Sequence, residues 1–343
     1  MKTTIQSQFV ALMIVGAVGL FACNKNASSS GNSSDATSTS ALQTSADDQS
    51  QISYESDAVD DDETTALNGN VSVAGSSINS VKGMGAVTTE GMGAVQVDSV
   101  GDTVVTNTSL ICDATITYAD TNGARTVTIT YNGSNCNGTR TRTGTITISI
   151  PNGVWWKDAG AAVTVNISNL TITRLRDNKT WIINGTRTYT NVSGGLLVDL
   201  PNLSSITHTI SGSMSITFAN GNVREWDFAR QRVFTYNDGI VATTTGMHTD
   251  TANNTNVAMW GVNRYGISFE NLITEPKVIA QSCEYRLTAG QDEILRSDNW
   301  DAMITYGLDG NGDATGCPGT GTYYYKLVVT SPRGVTYTYI LPY

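Results

Sequence analysis

The chain has 343 residues, 39% of them apolar and 15% charged, with 33 glycines, 6 prolines and a formal net charge of −10. At roughly 150 residues per domain, this length holds one large or two modest domains. Charged content below the usual ~25% argues against a coiled coil or a highly charged disordered chain. The acidic balance argues against nucleic acid as a partner, because displacing counterions from phosphate needs a basic surface.

Residues 1–22 read as an export signal. Lys2 opens it, and an apolar run of 14 residues begins at Phe9 and ends at Ala22. That run is shorter than the ~18 residues a membrane-spanning helix needs and fits a secretory signal. No later run approaches spanning length. Leu20-Phe21-Ala22-Cys23 resembles the bacterial lipobox, whose cysteine takes a diacylglycerol before cleavage. Cys23 is therefore the expected lipidation site, and two or three acyl chains would hold the protein on a membrane it does not cross.

Residues 23–102 read as an acidic flexible tether. Ser, Asn, Ala, Thr and Asp dominate up to about residue 50, too little apolar surface to offset ordering entropy. Residues 49–67 are acidic with few large apolar points, and a short helix is the only regular element expected there. Gly83-Met-Gly-Ala-Val87 and Gly91-Met-Gly-Ala-Val95 form a local repeat whose glycines disfavour a helix. Between residues 24 and 110 there are 12 acidic side chains against 2 basic ones, whereas residues 111–343 are nearly neutral. The expectation is a solvated, charged leash carrying a neutral body.

From residue 103 to 343 the pattern is that of an antiparallel β domain. Runs such as Arg125-Thr-Val-Thr-Ile-Thr-Tyr131 and Gly144-Thr-Ile-Thr-Ile-Ser-Ile150 alternate apolar and hydroxyl side chains with the period of a half-buried strand. Asn132-Gly133, Asp177-Asn178, Asn220-Gly221 and Asp238-Gly239 separate the runs as hairpin turns do. Residues 291–303 suit a helix or a strand and loop equally. Glycines inside strands, Gly144, Gly185, Gly212, Gly246, Gly261 and Gly290, mark bulges or bends. The predicted fold is all-β: a curved antiparallel meander, as an open barrel or a sandwich of long bent strands.

Cys112, Cys136, Cys283 and Cys317 suggest disulfides in an exported chain. Of the three pairings, two local bridges are favoured. Cys112 and Cys136 bracket a hairpin, and Cys283 and Cys317 flank one later segment. The spacing lacks the close pairs of a zinc site.

Cys112, Thr126-Val-Thr-Ile-Thr130, Cys136 and Arg140-Thr-Arg-Thr-Gly144, followed later by Gly261-Val-Asn-Arg-Tyr-Gly266, Ile273-Thr-Glu-Pro276, Cys283 and Gly290, resemble lipoproteins of the Bacteroidota cell envelope. The chain departs from that group around its last cysteine, in the longer Gly307–Cys317 turn. The resemblance implies export, lipidation and the two local pairings, and it brings no activity; the expected location is the cell envelope, on the outer membrane, with the periplasmic and surface-facing leaflets both open.

Chemistry is sparse. His208 and His248 lie in Thr-rich alternating segments with no nucleophile elbow beside either, and no catalytic residue is assigned. Glu225-Trp-Asp227 puts two carboxylates on one strand face. Arg224, Arg230 and Arg232 stand close by, which predicts a surface ion-pair ladder. Asp309, Asn311 and Asp313 resemble half of a calcium loop, but Ala314 and Thr320 stand where an EF-hand needs Gly and Glu, so a polar turn is expected. Trp155, Trp156 and Trp226 are candidates for an aromatic binding surface. Ser99, Thr103 and Thr251, each after an Asp, look like the O-glycosylation sequon of Bacteroidota.

No cofactor is expected. The reading is a lipid-anchored, non-enzymatic envelope module with a protein or glycan partner. A carbohydrate-active protein and a small-molecule carrier stand as alternatives.

Overall fold

A computed structural model describes residues 36–75, 105–121, 124–136, 138–283, 285–317 and 321–342. It opens with α1 (Ala36–Asn68) and the single turn α2 (Val71–Ala74). Fifteen strands follow. The first eight are β1 (Val105–Ile111), β2 (Ala114–Thr121), β3 (Ala124–Ser134), β4 (Arg140–Ile150), β5 (Ala161–Arg174), β6 (Lys179–Asn191), β7 (Ile206–Phe218) and β8 (Val223–Tyr236). The remainder are β9 (Ile240–Gly246), β10 (Val257–Val262), β11 (Ser268–Ala280), β12 (Arg286–Arg296), β13 (Asp301–Leu308), β14 (Tyr324–Thr330) and β15 (Thr336–Pro342).

The all-β antiparallel meander is borne out: each strand pairs with its neighbours in chain order, with one local exception. β9 and β10 share one gap, both lying between β8 and β11. β9 pairs with the C-terminal halves of those long strands and β10 with their N-terminal halves. Residues 291–303 are strand, turn and strand, and the turns at Asp177-Asn178 and Asn220-Gly221 join hairpins.

Alternation sorts the side chains into two faces. On the inner face Ile116, Ile129, Ile146 and Ile167 stand in cross-strand register and are buried. On the outer face Thr117, Thr128, Thr147, Asn166 and Thr186 form a register row of polar groups that solvent reaches. Curvature is localised at bulges. At Gly144, with φ +123°, an added Cβ would lie 2.5 Å from the carbonyl oxygen of Asn169, so only glycine permits the approach of β4 to β5 where their register shifts.

Both expected disulfides are present. Cys112 and Cys136 join with Cα atoms 5.3 Å apart, and Cys283 and Cys317 with Cα atoms 5.1 Å apart. Closing loops of 24 and 34 residues contributes about 3 to 4 kcal/mol each through restriction of the unfolded chain.

The expected tether differs from the structure over residues 36–75. This stretch is a 33-residue helix plus a turn, and from Asp48 to Asn70 almost every side chain is buried. The sheet curls around it. Tyr118 of β2, Arg142 of β4, Arg187 of β6, Arg230 of β8, Lys277 of β11 and Tyr325 of β14 all reach α1. The boundary expected at residue 103 therefore does not separate a leash from a body, because α1 forms part of the core. The Gly-Met repeat and the rest of the tether lie outside the described residues.

The turn α2, which follows α1, is tied down by backbone. Trp156 and Lys157 donate their N–H groups to the carbonyls of Val73 and Ala74 at 3.0 and 3.1 Å. Gly75, at φ +81°, sits against the Trp155 side chain, where an added Cβ would come within 2.6 Å of the Trp155 Cβ and 2.8 Å of the ring.

If α1 completes the core, the chain from residue 76 onward should lack native near-ultraviolet circular dichroism and cooperative unfolding. A synthetic peptide of residues 36–68 should restore both when added in trans. A truncated chain with native spectra would show the sheet to be self-sufficient.

Candidate functional site

Strand parity decides the chemistry of the interior. In β8 the even positions face inward, so Arg224, Arg230 and Arg232 share a face with Trp226, Phe228 and Phe234. In β4 Arg140 and Arg142 likewise share a face with Ile146 and Ile148. Buried guanidinium groups need partners, and α1 supplies them, as carboxylates to Arg140, Arg142, Arg230 and Arg232 and as the Gln49 amide oxygen to Arg224.

The pairing runs along the helix. Asp47 accepts from Arg174 at 3.0 Å and from Lys179 at 2.7 Å, and Asp48 accepts from Arg264 at 2.5 Å. Arg140 lies 3.4 Å from Glu55. Asp57 accepts from Arg230 at 3.2 Å and Lys277 at 3.1 Å. Arg187 bridges Asp60, at 2.7 Å, and Glu63, while Arg230 adds a second bond to Asp60 at 3.0 Å. Asp61 takes Arg232 at 2.7 Å. Arg142 donates to Asp62 at 2.8 Å and also holds Asp113, with contacts at 2.6 and 2.7 Å.

Hydroxyls complete the lining. Tyr131 donates to Asp62 at 2.7 Å, Tyr118 donates to the carbonyl of Ala66 at 2.9 Å, and Tyr189 meets Thr64 at 2.5 Å. Every carboxylate from Asp57 to Glu63 thus accepts from a guanidinium, an ammonium or a hydroxyl. The cluster is an internal ion-pair network rather than an acid–base pair open to a substrate.

Burial raises the carboxyls of Asp48, to about 6, and of Asp61 and Glu63, both to about 7, against the pull of Arg264, Arg232 and Arg187. Crowding by Asp60 adds to the rise at Asp61 and Glu63. Burial would lift Asp57 as well, but the charges of Lys277 and Arg230 outweigh it and hold that group low.

His208 closes the C-terminal end of this interior. Its Nδ1 lies 3.1 Å from the Tyr189 hydroxyl, and its ring packs edge-on against Trp156, Tyr189 and Phe234. Burial, then the charge of Arg232, pushes its pKa down to about 3, so the ring stays neutral.

The residues singled out in the sequence fall in different places. Glu225 and Asp227 share the outer face, as strand spacing requires, but the nearby arginines point to the other side. The expected surface ladder is therefore overturned: those arginines pair with α1, and Asp227 accepts instead from the Ser213 hydroxyl. Trp156 and Trp226 are buried at 0% and 4% exposure, and only Trp155, at 38%, reaches solvent, with Arg125 stacked over it. The three do not form a shared binding surface.

Asp309 accepts the backbone N–H groups of Asn311 and Asp313 at 2.8 and 3.1 Å, which folds the Asp309–Asp313 segment as a polar turn. Among the described residues no three His, Cys, Asp or Glu side chains converge as metal ligands would. His248 stacks on Trp260 with centroids 4.1 Å apart. Thr251 lies exposed in the turn closed by Asp250 and Asn254. Cys23, Ser99 and Thr103 lie outside the described residues.

Arg187→Met should destabilise the fold by about 3–5 kcal/mol in denaturant titrations, because Asp60 and Glu63 lose a buried partner. Lys157→Met, which removes an exposed pair with Asp158, should leave stability unchanged within error.

The raised carboxyls also fix the sign of a pH dependence. Between their ordinary values near 4 and their folded values of about 6 to 7, the folded chain binds protons that the unfolded chain has released. Stability contributed by Asp48, Asp61 and Glu63 therefore falls as pH rises through that window. His208, protonated only when unfolded between about 3 and 6.5, slopes the other way. Three groups outweigh one, so thermal midpoints should be higher at pH 5 than at pH 8. A flat or rising profile would contradict the assignment.

Comparison with known proteins returns no matching family model, no matching curated protein and no matching solved structure.

Proposed function

We propose that the protein is a lipid-anchored, non-enzymatic binding or structural module of the cell envelope, mounted through Cys23 on a membrane, and in a didermal cell on the outer one. The observation that carries the reading is that the concave interior, where a curved sheet would hold a substrate, is filled by the chain's own helix with its carboxylates already paired. What remains for a macromolecular partner is the hydroxyl-rich convex face and the ends of the sheet at β1 and β15. The signal-like start, the lipobox-like Cys23 and two disulfides of an oxidising compartment agree with export.

The alternatives draw less support. A glycan-cleaving protein wants a carboxylate pair beside an exposed tryptophan, whereas Glu225 and Asp227 have Trp226 on the opposite face. An apolar carrier wants an empty lined interior, and α1 occupies that space.

Expressed in a bacterial host fed labelled palmitate, the chain should take up label and fractionate with membranes. Cys23→Ser should abolish the label and release the protein. Label retained in that variant, or an unlabelled soluble wild type, would reject the anchor. A stoichiometric partner cross-linked in native membranes would support the binding role, and turnover of an envelope glycan by the purified chain would reject it.

A further inference from the structure

The sheet curls around α1, among the described residues no ladder joins its two ends, and the side of the molecule where β15 approaches the β4–β6 end holds a cavity of about 420 Å³. The start of β4 and the turn after β5 form one wall. The ends of β12 and β15 form the other, and residues 50–55 of α1 form the floor. Arg176 crosses the gap to donate to the carbonyl of Pro342 at 3.1 Å.

Arg140, Arg174, Arg176 and Arg286 line this cavity, and Glu55 is the one carboxylate among its described lining residues. Two of the cations are already neutralised. Arg140 pairs with Glu55 and stacks on the ring of Tyr54 with 4.6 Å to its centroid. Arg174, with Lys179 beside it, balances Asp47 and Asp177. The other two have mainly neutral partners. Arg286 donates to the carbonyl of Gly321 at 3.4 Å and lies over the Tyr323 ring, and its buried Nε has no hydrogen-bond partner among the described residues. Arg176 has Pro342, and its contact with the shared Asp47 is 3.7 Å.

We infer that this cavity binds a dianionic phosphoryl group, held between Arg176 and Arg286, on a small organic body that packs against Tyr54. Among the described residues an excess of two guanidinium charges matches a dianion, and the planar fork of arginine donates to phosphate oxygens in pairs. The volume lies within the roughly 300–1,000 Å³ of small-molecule sites. The phosphoryl group could belong to a soluble phosphomonoester or to a lipid headgroup. The inference stands on the cavity alone and does not depend on the membrane anchor proposed above.

The test uses the exported chain from residue 24 onward with both disulfides formed. Calorimetric titration with inorganic phosphate and glycerol 1-phosphate probes the soluble source, and sedimentation with vesicles containing phosphatidic acid probes the lipid source. Saturable binding should weaken by about tenfold or more in Arg176→Gln with Arg286→Gln and stay unchanged in Arg333→Gln, an exposed cation in the β14–β15 turn. Tighter binding of glycerol 1-phosphate than of the vesicles assigns a soluble ligand, and the reverse assigns a headgroup.

As a check that needs no variant, phosphate should protect Arg176 and Arg286 of the wild type from phenylglyoxal, read by peptide mass. Absence of saturable binding by every probe, equal loss in Arg333→Gln, or no protection would overturn the proposal.

Discussion

The architecture depends on ion pairing between one acidic helix and the arginines of the wall that surrounds it. An ionised carboxylate or guanidinium buried alone costs several kcal/mol even after relaxation. Neither Asp57, Asp60, Asp61 and Glu63 nor Arg187, Arg230 and Arg232 could stay inside without the other set. Pairing offsets that cost rather than adding a large surplus. Its main effect is geometric: sliding α1 by one turn would set several buried charges against the wrong partners, so the network selects one register of helix within sheet.

That constraint explains the division of labour across the wall. Aliphatic rows such as Ile116, Ile129, Ile146 and Ile167 supply non-directional burial. Arg142, Arg187, Arg230 and Lys277 supply directional contacts to α1. The tyrosines Tyr118, Tyr131 and Tyr189 do both, with apolar rings in the wall and hydroxyls on the helix. The outer face takes no part in this and is free to be polar.

The packing also decides where a ligand can be accommodated. Around most of α1 the arginines of the wall meet carboxylates of the helix, with Arg224 held by Gln49 instead. Where β15 approaches the β4–β6 end no strand pair of the described residues spans the gap, and the match is incomplete, with Arg176 and Arg286 turned to carbonyls. Space and uncompensated charge therefore coincide at this gap.

The sequence alone determined most strands and hairpins and the disulfides, because those are set by local rules; Asn132-Gly133, expected as a turn, instead lies inside β3 and pairs with Thr143 and Arg142 of β4. Alternating Thr and Ile has the period of a strand whatever surrounds it, and Cys112 and Cys136 are brought together by the hairpin between them. The glycine at 144 also announced a bend. By composition the acidic segment reads as a solvated leash, because its partners are far away in sequence: Arg142 lies 80 residues from Asp62, and Lys277 lies 224 from Ser53.

A signal was present in the parity of the strands. Arg142 alternates in step with Ile146, Arg187 with Tyr189, and Arg230 and Arg232 with Phe228 and Phe234, which places cations on the buried face and calls for buried anions. Parity could show that counter-charges were needed, but not that Asp47 to Glu63 would provide them. Only the closing of the sheet around α1 decided that, since charge pairing acts through space and the chain between the partners carries no record of it.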